Sequence, residues 1–235
     1  MDDLNTLRSA LKALADPTIA AHSQRFFKTA PGQYGAGDRF LGLRMPVLRA
    51  QAKRFQGLPL TAIRQLLDSP LHEERLCALL LLVRQFEAGD APTRTAIYRL
   101  YLEKSDRINN WDLVDCSAPQ IVGAYLSERK RSPLYRLAVS PSLWQRRIAI
   151  MSTFHFIRQG DFDDTLALSD LLLDDPHDLI HKAVGWMLRE VGNRDGARER
   201  EFLKPRYRHM PRTLLRYAIE KFPERERQRY LKSRI

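Results

Sequence analysis

The stretch DLIHKAVGWMLREVG (178–192) carries the fold in its spacing. At about 100° per residue, Ile180, Val184, Met187, Leu188 and Val191 fall in one sector roughly 100° wide, the stripe by which an amphipathic helix meets a core. Trp186 projects about 160° from the centre of that stripe, with Lys182 one turn before it and Arg189 nearly one turn after. A large indole opposite the core and between two cations suits a ligand contact; packing beneath a neighbouring helix or against a second copy is the other reading.

Outward from this helix the same design recurs. Basic or aromatic anchors stand at Arg75, Trp111, Arg147, Lys182 and Arg216, separated by 36, 36, 35 and 34 residues. They open or sit at the head of RLCALLLLV, WDLVDCSAP, RRIAIMSTF, KAVGWMLRE and RYAIEKFPE. A period of this size, one helix pair per repeat, predicts an all-α superhelix (solenoid) of HEAT-like helix pairs. Helical patterning covers about 2–15, 17–28, 45–56, 59–69, 72–88, 92–104, 111–127, 132–139, 142–159, 162–174, 178–192, 198–209 and 212–232. No run alternates in the manner of a strand, and no linker rich in Pro, Gly or Ser divides the chain, so residues 1–235 read as a single domain. The one long irregular stretch, 30–44, holds four glycines but no Gly-Lys-Ser/Thr, which makes it a surface loop rather than a phosphate-binding loop.

Composition narrows the class. The 235 residues are 44% hydrophobic and 29% charged, enough for a packed core and against overall disorder. The longest apolar run, 76–83, is far too short to span a bilayer. The opening MDDLNTLRSALK places acids where a secretory signal carries basic residues, so a soluble cytoplasmic protein is expected. Basic residues exceed acidic ones by 39 to 28, and 182–235 alone holds 16 Lys and Arg against seven Asp and Glu. That lopsided end is the electrostatic footprint of a polyanion partner, or a solvated surface.

Trp111 and Asp115 lie four residues apart, on one helix face beside a stripe of Val114, Ala118, Ile121 and Tyr125. Pro119 cannot donate to the Asp115 carbonyl, so the helix is expected to bend just past the pair. Asp112 and Asp115 equally suit an acidic first turn favoured by the helix dipole. Arg147 sits among Ile148, Ala149, Ile150 and Met151 and calls for an anionic partner, an internal carboxylate or a phosphate. Trp144 reads as core. His177 and His181 are one turn apart, yet no HExxH or cysteine pair accompanies them, so no metal is expected; Cys77 and Cys116 read as inert core positions.

NNWDLVD (109–115), LWQRRIAI (143–150) and HKAVGWMLRE (181–190), with FLGLRMPVLR (40–49) upstream, together resemble the AlkD family of DNA alkylation repair proteins over nearly the whole chain. The resemblance implies HEAT-like repeats that cradle duplex DNA, and excision of N3- and N7-alkylated purines without metal or cofactor. It places the catalytic aspartate at Asp115 and the lesion-facing tryptophans at Trp111 and Trp186. It assigns backbone-holding roles to Arg147 and Arg189, with Lys182 beside them. A family tyrosine near the lesion corresponds to Phe26, which lacks the hydroxyl. A nucleoid-associated monomer with no obligate protein partner is expected. Some relatives bind branched DNA, so a noncatalytic binder of branched or damaged DNA is the alternative.

Overall fold

The computed structural model describes residues 2–235. Among these, no β-strand forms; a lone parallel bridge joins Arg39 and Leu71. The all-α fold class is therefore as the periodicity requires. The chain makes two compact units, Met1–Ile121 and Val122–Ile235. No helix among the described residues is long and apolar enough to cross a membrane.

The N-terminal unit comprises α1 (Asp2–Ala13), α2 (Pro17–Phe26), α3 (Met45–Arg54), α4 (Leu60–Leu67), α5 (His72–Ala88), α6 (Ala91–Glu103), a 3-10 turn at Ser105–Arg107 and α7 (Trp111–Asp115). Local chemistry sets several of its starts. Asp16 accepts hydrogen bonds from the Thr18 and Ile19 amides, and Asp90 from that of Thr93, each just ahead of a proline in the first helical turn. At the centre lies α5, buried at every position over 72–82 and packed against α3, α4 and α6. It has no polar face, so the charged residues of its first turn, His72 to Arg75, must be satisfied inside the protein.

The C-terminal unit comprises α8 (Ala124–Leu126), α9 (Ser132–Ala138), α10 (Leu143–Ser152), α11 (Phe154–Ile157), α12 (Asp163–Leu171), α13 (Asp178–Gly192), α14 (Gly196–Leu203), α15 (Arg212–Ala218), a 3-10 turn at Ile219–Lys221 and α16 (Glu224–Leu231). Its centre is α13, whose stripe Ile180, Val184, Met187, Leu188 and Val191 is fully buried. Gly185 permits α15 to approach closely: a Cβ there would meet the Leu214 carbonyl oxygen at 2.5 Å.

The repeat shows in the side-chain links. Asp38 to His72, His72 to Asp112, Lys104 to Asp68, Arg198 to Asp163 and Arg206 to Asp170 join residues 34, 40, 36, 35 and 36 positions apart. Within each unit, then, ion pairs tie a position to its counterpart about one repeat away.

Three sequence expectations need correction. The segment 111–127 is not one helix: α7 stops at Asp115 and a π-helix runs over Pro119–Gly123. The bend past Asp115 was legible, but the wider turn that absorbs the missing proline donor was not. Tyr125 is half-buried rather than part of the core, because the π-turn rotates it off the Val114–Ala118–Ile121 stripe. The stretch 30–44 is more than a surface loop, since Asp38 is buried and its backbone over 41–43 is held by Glu73.

Candidate active site

The first four residues of α5 organise the N-terminal unit. The Glu73 carboxylate accepts from the amides of Leu41 and Gly42, both at 2.8 Å, and from that of Leu43 at 3.2 Å. Gly42, at φ +82, is needed there, because a Cβ would collide with the Asp16 carbonyl. Glu74 pairs with Arg8 of α1 at 3.3 Å. Arg75, 2% exposed, donates to Asp38 at 2.7 Å, to the Ser69 carbonyl at 2.9 Å and to Asn109 at 3.0 Å. His72 lies between two carboxylates, Nδ1 at 3.1 Å from Asp38 and Nε2 at 2.8 Å from Asp112.

Both ring nitrogens of His72 face acceptors, and only the imidazolium can donate to both. Burial opposes that charge. The hydrogen bond and charge of Asp112, joined by the bond to Asp38, outweigh burial and the repulsion of Arg75 and push the pKa up to about 9. Asp38 responds in the opposite direction: burial would raise its pKa, but His72, Arg75 and Asn109 hold it below the usual carboxylate range. Two cations and two carboxylates cancel, as buried charge requires. Asp112, which reads as a dipole-stabilising residue in the sequence, is thus an internal acceptor as well.

This group sits behind an aromatic cluster that includes Trp111. The Phe40 ring stacks on His72 at 4.6 Å, and Phe27 lies 5.1 Å from His72 and 5.2 Å from Phe40. Phe27 stacks on Trp111 at 5.4 Å with 26° between planes. Phe26 meets the same indole edge-on at 6.0 Å and is 54% exposed, so it presents an open ring beside Trp111. Asn110, fully buried, caps α7 by accepting from the Trp111 amide at 2.9 Å. Trp111 and Asp115, one turn apart, are both half-buried. Of the residues singled out in the sequence, Phe26 lies against Trp111, and Asp115 stands one turn further along α7. A cleft of about 300 Å³ opens beside Cys116 between Arg49, Leu80, Arg84 and Gln120; Trp111 and Asp115 are not among its lining residues.

In the C-terminal unit, Lys182, Trp186 and Arg189 share α13, and Arg147 of α10 is joined to that helix through a 2.5 Å bond to the Leu179 carbonyl. Trp186 is half-buried rather than standing clear in solvent: its indole N–H donates to Glu190 at 3.2 Å and Phe154 lies 6.1 Å away. Lys182 pairs with Asp178 at 2.7 Å, and Arg189 with Glu220. Arg147 is only 4% exposed, while its neighbour Arg146 grips Asp175 at 2.6 Å. Trp144 is buried, as its setting implies. The two histidines have structural partners: His177 caps α13 by accepting from the Leu179 amide at 3.1 Å, and His181 bonds the Asp175 carbonyl at 2.6 Å. Cys77 is buried and its thiol is pushed up to about 12 by burial and by Glu74; burial also raises Cys116.

The DNA alkylation repair enzyme family matches residues 7–222 of this sequence. The chain belongs to that family. Among solved structures, the "Predicted DNA alkylation repair enzyme from Enterococcus faecalis" shares the fold with a TM-score of 0.68 at 17% identity, over 89% of this chain and 97% of its own. No curated protein matches the sequence. A DNA alkylation repair family member serves the repair of alkylated DNA, and the basic surplus of the chain accords with a nucleic-acid substrate. His72, Asp38 and Asn109 were missed in the sequence. Charged residues opening a helix without a polar face were the available signal, since such charges must pair internally.

Proposed function

We propose that the protein is a monofunctional alkylpurine DNA glycosylase, excising N3- and N7-alkylated purines such as 3-methyladenine and 7-methylguanine from duplex DNA. The observation that carries this reading is the α7 face: Trp111 and Asp115 one turn apart, with the open ring of Phe26 edge-on to the indole. Alkylation at N3 or N7 leaves the purine cationic, so it departs as a neutral base without a general acid. The remaining demand is the positive charge that develops on the sugar, as in glycoside cleavage generally. A carboxylate at Asp115 opposes that charge and orients the attacking water, and the faces of Trp111 and Trp186 attract cationic sugar and base. None of these steps calls for a metal or for a pocket that swallows the base.

Lys182 and Arg189 are assigned to the DNA backbone. Lys182 pairs with an exposed carboxylate, a surface pair worth about 0–1 kcal/mol, so a phosphate competes for it at little cost, while Arg189 is more enclosed but its partner Glu220 is half-exposed. Arg147 is assigned the same role, and its burial makes it the assignment that a binding measurement tests hardest. The protein is proposed to act as a monomer on nucleoid DNA in the cytoplasm. Single-turnover excision from a duplex carrying 7-methylguanine, by wild type and Asp115→Asn, tests the proposal. Release of base by the wild type and its loss in the variant, with binding retained, is the expected result. A wild type that binds the duplex, or a branched DNA, and releases nothing would replace catalysis with structure-specific binding.

A further inference from the structure

We propose that His72 is a positioning residue for the excision step, joining α7 to the 26–40 segment so that Trp111 and Asp115 are held in one orientation before DNA arrives. The proposal rests on the glycosylase reading for its chemistry but not for its geometry. His72 is 1% exposed and touches three separate parts of the unit at once. Through Nε2 it bonds Asp112, the residue between Trp111 and the rest of α7, at 2.8 Å. Through Nδ1 it bonds Asp38 at 3.1 Å, and Asp38 is itself fixed by Arg75 and Asn109 at 2.7 and 3.1 Å. Through its ring faces it meets Phe27 and Phe40, and Phe27 is the surface on which the Trp111 indole stacks.

The reasons this arrangement controls position are physical. α7 is only five residues long, too short to hold its own orientation by helical hydrogen bonds. Its first turn is fixed instead from two sides, by Asn110 at the cap and by His72 at Asp112. An imidazolium against aromatic faces adds cation–π attraction to the two charged hydrogen bonds. The charged groups facing His72 are Asp112 from α7, Asp38 from the loop and Arg75 from its own helix, with Arg107 acting on Arg75. Their balance keeps the ring cationic near neutral pH. Small misplacements of reacting groups are costly in rate, so loss of the His72–Asp112 bond should appear in turnover more than in binding.

Asp112→Asn is the main test, because it keeps size while removing the charge that the imidazolium faces; His72→Gln is the second variant. Trp111 is observed alone in a background carrying Trp144→Phe and Trp186→Phe, by acrylamide quenching of its fluorescence. Single-turnover excision is measured in the otherwise wild-type chain. The expected result is an excision constant lower by about ten- to a hundredfold at an unchanged half-saturating protein concentration, together with stronger quenching of Trp111. The ¹⁵N shifts of His72 in the wild type should report a doubly protonated ring at neutral pH. An Asp112→Asn protein that folds, excises at the wild-type rate and shows unaltered quenching overturns the proposal. Unaltered excision with stronger quenching also overturns it, since orientation of the indole would then not serve the reaction. If the wild type itself excises nothing while quenching rises as expected, the glycosylase reading falls and the role of His72 in holding Trp111 stands.

Discussion

In the N-terminal unit, four charged side chains, His72, Arg75, Asp38 and Asp112, meet at the first turn of α5 and cancel one another. In the C-terminal unit, Glu199 of α14 is 2% exposed and its Oε1 has no hydrogen-bond partner. Gly192 makes the room for it, since a Cβ there would collide with the Glu199 carboxyl. Burial pushes the Glu199 pKa up to about 8, with Arg200 and Arg189 pulling it down and Glu226 pushing it further up. Paired internal charge serves geometry: it fixes the short helix that carries Trp111 and Asp115. An unpaired internal carboxyl is a stability cost that varies with pH, whereas pairs of that unit such as Lys182–Asp178 and Arg198–Asp163 lie at the surface, where an outside anion can compete for them.

The largest expected effect tests the paired side of this contrast. His72→Asn leaves Asp38 and Asp112 facing each other without a cation, and about 3–5 kcal/mol of stability should be lost in chemical denaturation at neutral pH. Folded His72 holds its proton to about pH 9, against 6.5 when unfolded, so its contribution is complete below pH 6.5 and fades as the pH climbs through 9. The variant should lack that slope. A variant as stable as the wild type would show that the four charges do not act as a unit.

Next comes the division of labour in catalysis. Asp115→Asn should lower excision by on the order of a hundredfold or more, about 3–4 kcal/mol, with DNA affinity retained. Trp186→Ala should lose about 0.5–2 kcal/mol of cation–π attraction, a smaller drop in the same single-turnover assay. Equal losses would erase the distinction between the two units.

A smaller effect, of the opposite sign, is expected at the unpaired carboxyl. Folded Glu199 keeps its proton to about pH 8, against 4.5 when unfolded, so the wild type loses stability as pH rises from 4.5 to 8. Glu199→Gln should remove that loss and gain about 1–3 kcal/mol above pH 8 in a denaturation series. The smallest effect is at the rim: Arg189→Ala should reduce the salt dependence of duplex binding by about one phosphate contact, read as a shallower slope of log affinity against log salt.

How much of this was legible in the sequence differs from helix to helix. The stripe of α13 is a local pattern, and Ile180, Val184, Met187, Leu188 and Val191 are buried as their spacing requires. A bend past Asp115 follows from a proline four residues on, but the break of the 111–127 segment into α7 and a π-turn does not. The partners of His72 do not follow in the same way, because Asp38 and Asp112 are 34 and 40 residues distant and only the tertiary fold brings them in. The setting of Trp186 was half legible: its distance from the core stripe marked it out, but Glu190 and Phe154 depend on side-chain direction and on a second helix. Phe26 is marked by its resemblance to a tyrosine position, but its edge-on contact with Trp111 arises only in the tertiary fold.

The clamp on the 30–44 stretch has a practical consequence for anyone wishing to label the protein. One end is tied by Thr29, whose hydroxyl donates to the Gln24 carbonyl at 2.9 Å, and the other by Asp38 and by the three amides bound to Glu73. Between them, Gly32 and Gly37 adopt positive φ with nothing within 4 Å of where a Cβ would stand. A tip closed at its base and open around its crown tolerates added chain, since each doubling of a flexible loop costs only about 0.6 kcal/mol in closure entropy. A short peptide tag or a dye-bearing cysteine inserted next to Gln33 would therefore ride on the molecule as a handle for surface attachment or single-molecule tracking, leaving the glycines themselves in place.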